Sequence, residues 1–366
     1  MNTTPRTMQD LFRQLSSQGL HQDLSTEQER KLVEVFEADT LQPWYIRALI
    51  GIGAWLSSWL FMAFIIGISI SLTESLYWVL GVLFLAAAIG TCHVTRVDFL
   101  RHMALAMSLA GQLLIGYAIA ETSPWDDIES SLLALIALNL ILIVGFPDRI
   151  HRFLSILFIN SALAPLLYKW EAQAMIPFIS PLLLGAFAFI SLRETQWNNR
   201  AIAPLIPSLT AGLAISAMGW TLLSTIYVLP ELQGDFVFYP TPWITTLGAL
   251  ITLCLVQWKY LPLIPGNLTR NSILILIAGT VLLALTTLNA PGIMLSLTVI
   301  LIGSLNSHRF QQGMGIGFLS LFLLTFFYGI ETSLLMKSAI LTSAGVLVLL
   351  VRWTLQKSSA NALPGE

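Results

Sequence analysis

Twelve times along this chain, sixteen or more residues pass with almost no charged side chain: at about 48–72, 76–92, 103–120, 130–146, 153–168, 175–192, 201–229, 243–258, 272–288, 291–306, 314–330 and 333–351. A hydrocarbon core about 30 Å thick is crossed by roughly 20 apolar residues at a rise of about 1.5 Å each. Lipid offers bare peptide groups no hydrogen-bond partner, so such runs must close their own backbone as helices. The expected fold is therefore all-α, a polytopic transmembrane helix bundle of about twelve spans. Several runs are short, and the fifth to seventh carry Pro165, Pro177, Pro181, Pro204 and Pro207. A re-entrant or kinked pair there stays open, and the range is ten to twelve.

Charge distribution orients the runs. Of 366 residues only 10% are charged and 56% are apolar, against about 25% charge in soluble domains. That balance excludes a water-soluble enzyme, a disordered tail and a nucleic-acid binder, and it makes membrane lipid the surrounding medium. With the N-terminus in the cytoplasm, 16 of the 18 Lys and Arg residues fall in inside segments, leaving Lys169 and Lys337 outside. Positive residues collect on the cytoplasmic side, so both termini are expected there. The acids Glu121, Asp126, Asp127, Glu129, Glu231 and Asp235 fall outside.

Three regions follow: a cytoplasmic helical hairpin over 1–46, a transmembrane domain over 47–352, and a cytoplasmic tail over 353–366. In the hairpin, Thr4-Pro5 caps a first helix with Met8, Leu11, Phe12 and Leu15 on one face, and Gly19 stops it. Ser25 and Gln28 form a capping box for a second helix presenting Leu32, Val33 and Phe36. Residues 1–46 hold four Lys/Arg and seven Asp/Glu but no apolar h-region, so the first span is expected to serve as an uncleaved insertion signal. Cys92 and Cys254 near cytoplasmic span ends are expected to be reduced thiols.

Ionisable groups in a bilayer are functional candidates by default, yet the middle thirds of the confident spans carry none. That argues against a carboxylate proton relay and a voltage sensor. Three amides lie mid-span, Gln112, Asn139 and Asn160, and two readings stand: hydrogen-bond ties between helices, or the polar lining of a pocket. His93, His102, His151 and His308 sit in cytoplasmic loops or span ends, an interfacial placement without metal-ligand spacing. No hydrolase, NTPase or dithiol motif is present, so neither an enzyme nor a bound cofactor is expected. The prolines flanking the loop with Arg193, Glu194 and Arg200 read either as isolated prolines of the kind common in membrane helices or as broken helices that bare backbone groups to a cavity.

The outer loops have another character. Residues 121–131, ETSPWDDIESS, place acids around Trp125, and residues 230–243, PELQGDFVFYPTPW, alternate Phe236, Phe238 and Tyr239 between prolines. Such a rim reads either as an aromatic belt or as a docking surface. In the last hairpin, Tyr328 and Glu331 precede Lys337, one turn into a span on the side where lysine is otherwise avoided. Lys337 can snorkel outward or pair with Glu331.

The turn ending at Tyr328, followed by Thr332-Ser333-Leu334-Leu335-Met336-Lys337-Ser338, Gly345 and Arg352, resembles the closing signature of bacterial polytopic membrane proteins grouped as domain of unknown function 4401. Pro43-Trp44-Tyr45-Ile46-Arg47 with Gly51, Gly53, Ala54 and Trp55 is similar to that family's opening, and Ala110-Gly111-Gln112-Leu113-Leu114 to its third span. The family typically shows paired tyrosines where this chain has Phe327-Tyr328. The resemblance implies a bacterial inner-membrane protein without assigned activity, in the company of a small membrane-anchored protein bearing a GDYxxLxY-type motif. Two functions are thus expected in competition: a non-enzymatic component of a membrane complex whose partner seats on Trp125, Tyr239, Tyr328, Glu331 and Lys337, or a transporter or flippase for a neutral or lipidic substrate. The loop from His93 to His102 lacks the Gly-rich basic motif of major facilitator carriers, which weighs against the second.

Overall fold

The computed structural model describes residues 44–69, 75–94, 98–122, 128–197, 200, 202–225, 241–263 and 270–329, with isolated positions between 335 and 353. The expected hairpin over 1–46 lies outside these residues apart from the first helix's start, and so does nearly all of the twelfth run and the C-terminal tail. Among the described residues all regular structure is helical, and a helix stands at each of the first eleven runs. They are α1 Trp44–Ser69, α2 Ser75–Val94, α3 Asp98–Thr122, α4 Ile128–Gly145, α5 Arg149–Lys169, α6 Ile176–Ser191, α7 Ile206–Thr225, α8 Pro242–Tyr260, α9 Arg270–Thr286, α10 Pro291–Leu305 and α11 Arg309–Gly329. Seven stretches, from Leu76–Val94 through Pro242–Leu263, are long and apolar enough to cross a membrane. Residues 149–169, 173–191 and 203–225, where a re-entrant pair stood open, are all among those seven.

Helix ends follow local chemistry. After Gly145-Phe146-Pro147, the Asp148 side chain accepts from the Ile150 and His151 N–H groups and starts α5. Pro177, Pro242 and Pro291 occupy first-turn positions, where a missing N–H costs nothing. Two tight turns close without glycine. Glu171 and Ser307 both adopt φ 53°, and the next residue's N–H reaches back to close the helix end, Ala172 to Leu167 and His308 to Gly303, each at 2.8 Å. A left-handed residue with a Cβ is strained by about 1 kcal/mol. Ser307→Gly is therefore expected to raise the unfolding free energy by about 0.5–1 kcal/mol, read by thermal unfolding in detergent.

The chain divides into two compact units, residues 1–115 and 116–366. In the first, α2 and α3 cross at Gly81 and Gly111. A methyl on Gly81 would lie 3.0 Å from the Gly111 carbonyl oxygen, and one on Gly111 would lie 2.8 Å from that of Gly81. The two backbones all but touch, as small residues allow where no hydrophobic effect drives helices together. Phe61 of α1 meets Phe84 of α2 with ring centroids 6.4 Å apart.

In the second unit α5 packs on α4 and α7, α7 on α6, α6 on α8, and α8 on α9 and α10, while α10 pairs most closely with α11. The core gathers Leu184, Phe187, Ala214, Ala217, Leu253, Phe318 and Phe322 around α10. Met294, Leu295, Ser296, Thr298, Val299 and Ile302 of α10 are wholly buried, while Leu297, Ile300 and Leu301 on its remaining face are half-buried and Ser304 is exposed. Leu140, Ile141, Leu182, Ile251, Leu255, Leu321 and Leu324 point outward, the surface that lipid would cover.

Candidate functional site

A hydroxyl or amide halfway along an apolar helix must find a partner nearby, since leaving it unbonded in a dry setting costs about 1–3 kcal/mol. One such group in the second unit stands in for a proline's missing N–H, and others bond carbonyls near prolines or helix starts. Pro181 lacks the N–H that would bond the Pro177 carbonyl, and the Thr245 hydroxyl of α8 donates to that oxygen at 3.0 Å. Thr246 donates at 2.6 Å to the carbonyl of Leu288, three residues before Pro291. Arg152 reaches the Pro204 carbonyl at 3.2 Å, and Ser208 the Arg149 carbonyl at 2.8 Å. Neighbouring side chains thus take up these carbonyls, and α6 and α7 stand as helices.

Other polar groups tie helix to helix. The Ser180 hydroxyl of α6 can donate to Thr221 of α7 at 2.6 Å while Thr221 donates to the Ala217 carbonyl at 2.8 Å. Asn306, at the end of α10, donates to the Ser191 carbonyl at 2.9 Å, and Gln311 reaches the Ser191 hydroxyl. Gln257 of α8 donates to Thr280 of α9 at 2.9 Å. His151 also departs from expectation. It is wholly buried and stacks on Phe146 with centroids 4.0 Å apart, because the Asp148 cap folds the first turn of α5 back under the preceding loop.

The three mid-span amides separate. Gln112 is buried in α3 of the first unit. Asn139 is buried in α4 and donates to its own helix at the Leu135 carbonyl, 2.9 Å, while its Oδ1 has no hydrogen-bond partner. Asn160 donates to the Ile156 carbonyl at 2.8 Å and accepts from the Trp220 indole N–H at 3.1 Å, joining α5 to α7. The tie between helices is realised at Asn160, and so is a pocket. Asn160, Ser161, Ser216, Gly219, Trp220 and Leu223 line a groove of about 320 Å³ between α5 and α7. Trp125, Tyr239, Glu331 and Lys337 lie outside the described residues; Tyr328 is placed as backbone in α11, its side chain outside them.

Sequence reasoning missed Ser216 and Trp220. They stand four residues apart on one face of α7, but nothing in their spacing says that α5 is what they face. Asn160→Leu and Trp220→Phe are each expected to lower stability by about 1 kcal/mol, and the double variant by less than the sum. Thermal unfolding of the four proteins in one detergent reads this out.

Cys92 is buried and Cys254 partly so. A family model described as Domain of unknown function (DUF4401) matches residues 43–358. No curated protein matches the chain, and no solved structure does.

Proposed function

The chain belongs to the family of that domain of unknown function, and from this premise we propose that it is a non-enzymatic component of a membrane assembly. In this reading it sits in a bacterial inner membrane with about twelve crossings and both termini cytoplasmic, and it holds an extracytoplasmic or membrane-anchored partner, such as a small protein with a GDYxxLxY-type motif. The observation that supports it is the packed core around the buried face of α10 in the second unit. Met294, Leu295, Val299 and Ile302 of α10 are wholly buried among five helices, and polar groups such as Ser180, Thr221, Thr245 and Asn306 bond helix to helix. That is the construction of a scaffold rather than of a lined conduit.

The partner's seat is assigned to the outer rim and the last hairpin: Trp125, Tyr239, Tyr328, Glu331 and Lys337. A photoreactive residue at position 328 or 337, activated in native membranes, is expected to trap one discrete protein. Recovery of lipid alone overturns the reading. The carrier or flippase alternative is read by the purified chain in liposomes, where uptake or lipid scrambling above protein-free vesicles would replace the scaffold assignment.

A further inference from the structure

Ser216 stands midway along α7, 5% exposed, and its hydroxyl has no hydrogen-bond partner. A serine in a helix ordinarily donates to the carbonyl four residues back, and Thr221, on the same helix, does so. Buried polar groups left unbonded are few in native proteins, and each calls for a physical reason. Ser216 lines the α5–α7 groove beside Asn160 and Trp220; its oxygen is closed off from solvent, and a turn about χ1 toward the groove would let a molecule there supply the missing partner.

The groove's chemistry narrows the class of that molecule. Around Ser216 and Asn160 no lining residue is ionisable; the other lining residues are Leu157, Ser161, Ala164, Ile215, Gly219, Trp220 and Leu223. A charged ligand would find no counter-charge there. Asn160 Oδ1 already accepts from Trp220, and its amide nitrogen has given one of two hydrogens to Ile156. The capacity left over is mainly donation, the second amide hydrogen and the Ser216 hydroxyl, which calls for an acceptor such as a carbonyl oxygen. Depth narrows it again. Asn160 lies about 15 Å from either end of α5 at 1.5 Å per residue, further in than a group anchored at the headgroup level reaches. A volume of about 320 Å³ is at the low end for small-molecule sites and suits one ring rather than a whole lipid.

From this we propose that the α5–α7 groove is a binding site for an uncharged ring compound with carbonyl oxygens on an apolar tail, that is, an isoprenoid quinone. The site is independent of whether the chain also seats a protein partner. Gly219 offers a clean way to close it. A Cβ there meets nothing within 4 Å, so a larger side chain leaves the α7 backbone at the groove wall without an immediate clash.

The test is equilibrium binding of tritiated decylubiquinone to the full-length protein in lipid nanodiscs. Saturable binding is expected for the wild type, about fivefold weaker binding for Ser216→Ala with thermal stability unchanged or raised, and no saturable binding for Gly219→Leu. Dioleoylglycerol, held at the headgroup level, is expected to compete poorly. Absence of saturable binding to the wild type, wild-type affinity in both variants, or competition by dioleoylglycerol as effective as by unlabelled decylubiquinone would each overturn the assignment.

Discussion

Gly303→Ala is expected to lower the unfolding free energy by about 2–3 kcal/mol. A Cβ at position 303 would stand 2.8 Å from the Gln312 amide nitrogen and 3.1 Å from the Gln311 carbonyl carbon. These are backbone atoms of α11, which cannot rotate aside as a side chain can, so α10 and α11 must separate. Separation would loosen the turn that the His308 N–H closes on the Gly303 carbonyl and the Asn306 and Gln311 bonds to Ser191. Gly313→Ala and Gly317→Ala are the controls, since a Cβ at either site meets nothing within 4 Å. Thermal unfolding in detergent should leave both at or slightly above the wild type. Equal losses at all three sites would mean that glycine flexibility, not close approach, is what matters.

The second large effect concerns a missing N–H. Thr245→Val removes the hydroxyl that bonds the Pro177 carbonyl, a wholly buried group, and is expected to cost about 1–3 kcal/mol. The cause is separable from simple loss of a contact by changing the proline itself. In a Pro181→Ala background the restored N–H can take up the Pro177 carbonyl, so Thr245→Val should then cost less by about 1 kcal/mol or more. Additive losses in the two single variants and the double variant would show that the hydroxyl does not compensate for the proline.

How much of this was legible beforehand can be argued residue by residue. The existence and approximate ends of α1 to α11 were readable because the signal for a membrane helix is a long uncharged run, and the ends carry their own marks: Asp148 before α5, and prolines in the first turns of α6, α8 and α10. The importance of Asn160 was readable because a mid-span amide is rare. Its partner was not, because Trp220 is sixty residues away and its selection depends on which face of α7 meets α5. How the prolines are accommodated was not legible for a similar reason. The prolines are visible in the sequence, but the threonine and arginine that satisfy their carbonyls belong to other helices.

Composition and run length by themselves determined that this is an all-helical protein with many segments suited to lipid, because a backbone without water has few ways to satisfy its peptide groups. Only the tertiary structure decided which glycines are contact points, which hydroxyl stands in for a proline's N–H, and that Ser216 lines a groove with nothing to bond. Apolar helices of this kind are greasy on every side, so periodicity does not announce the packed face, and the choice rests on close-range fit between chain segments far apart in sequence.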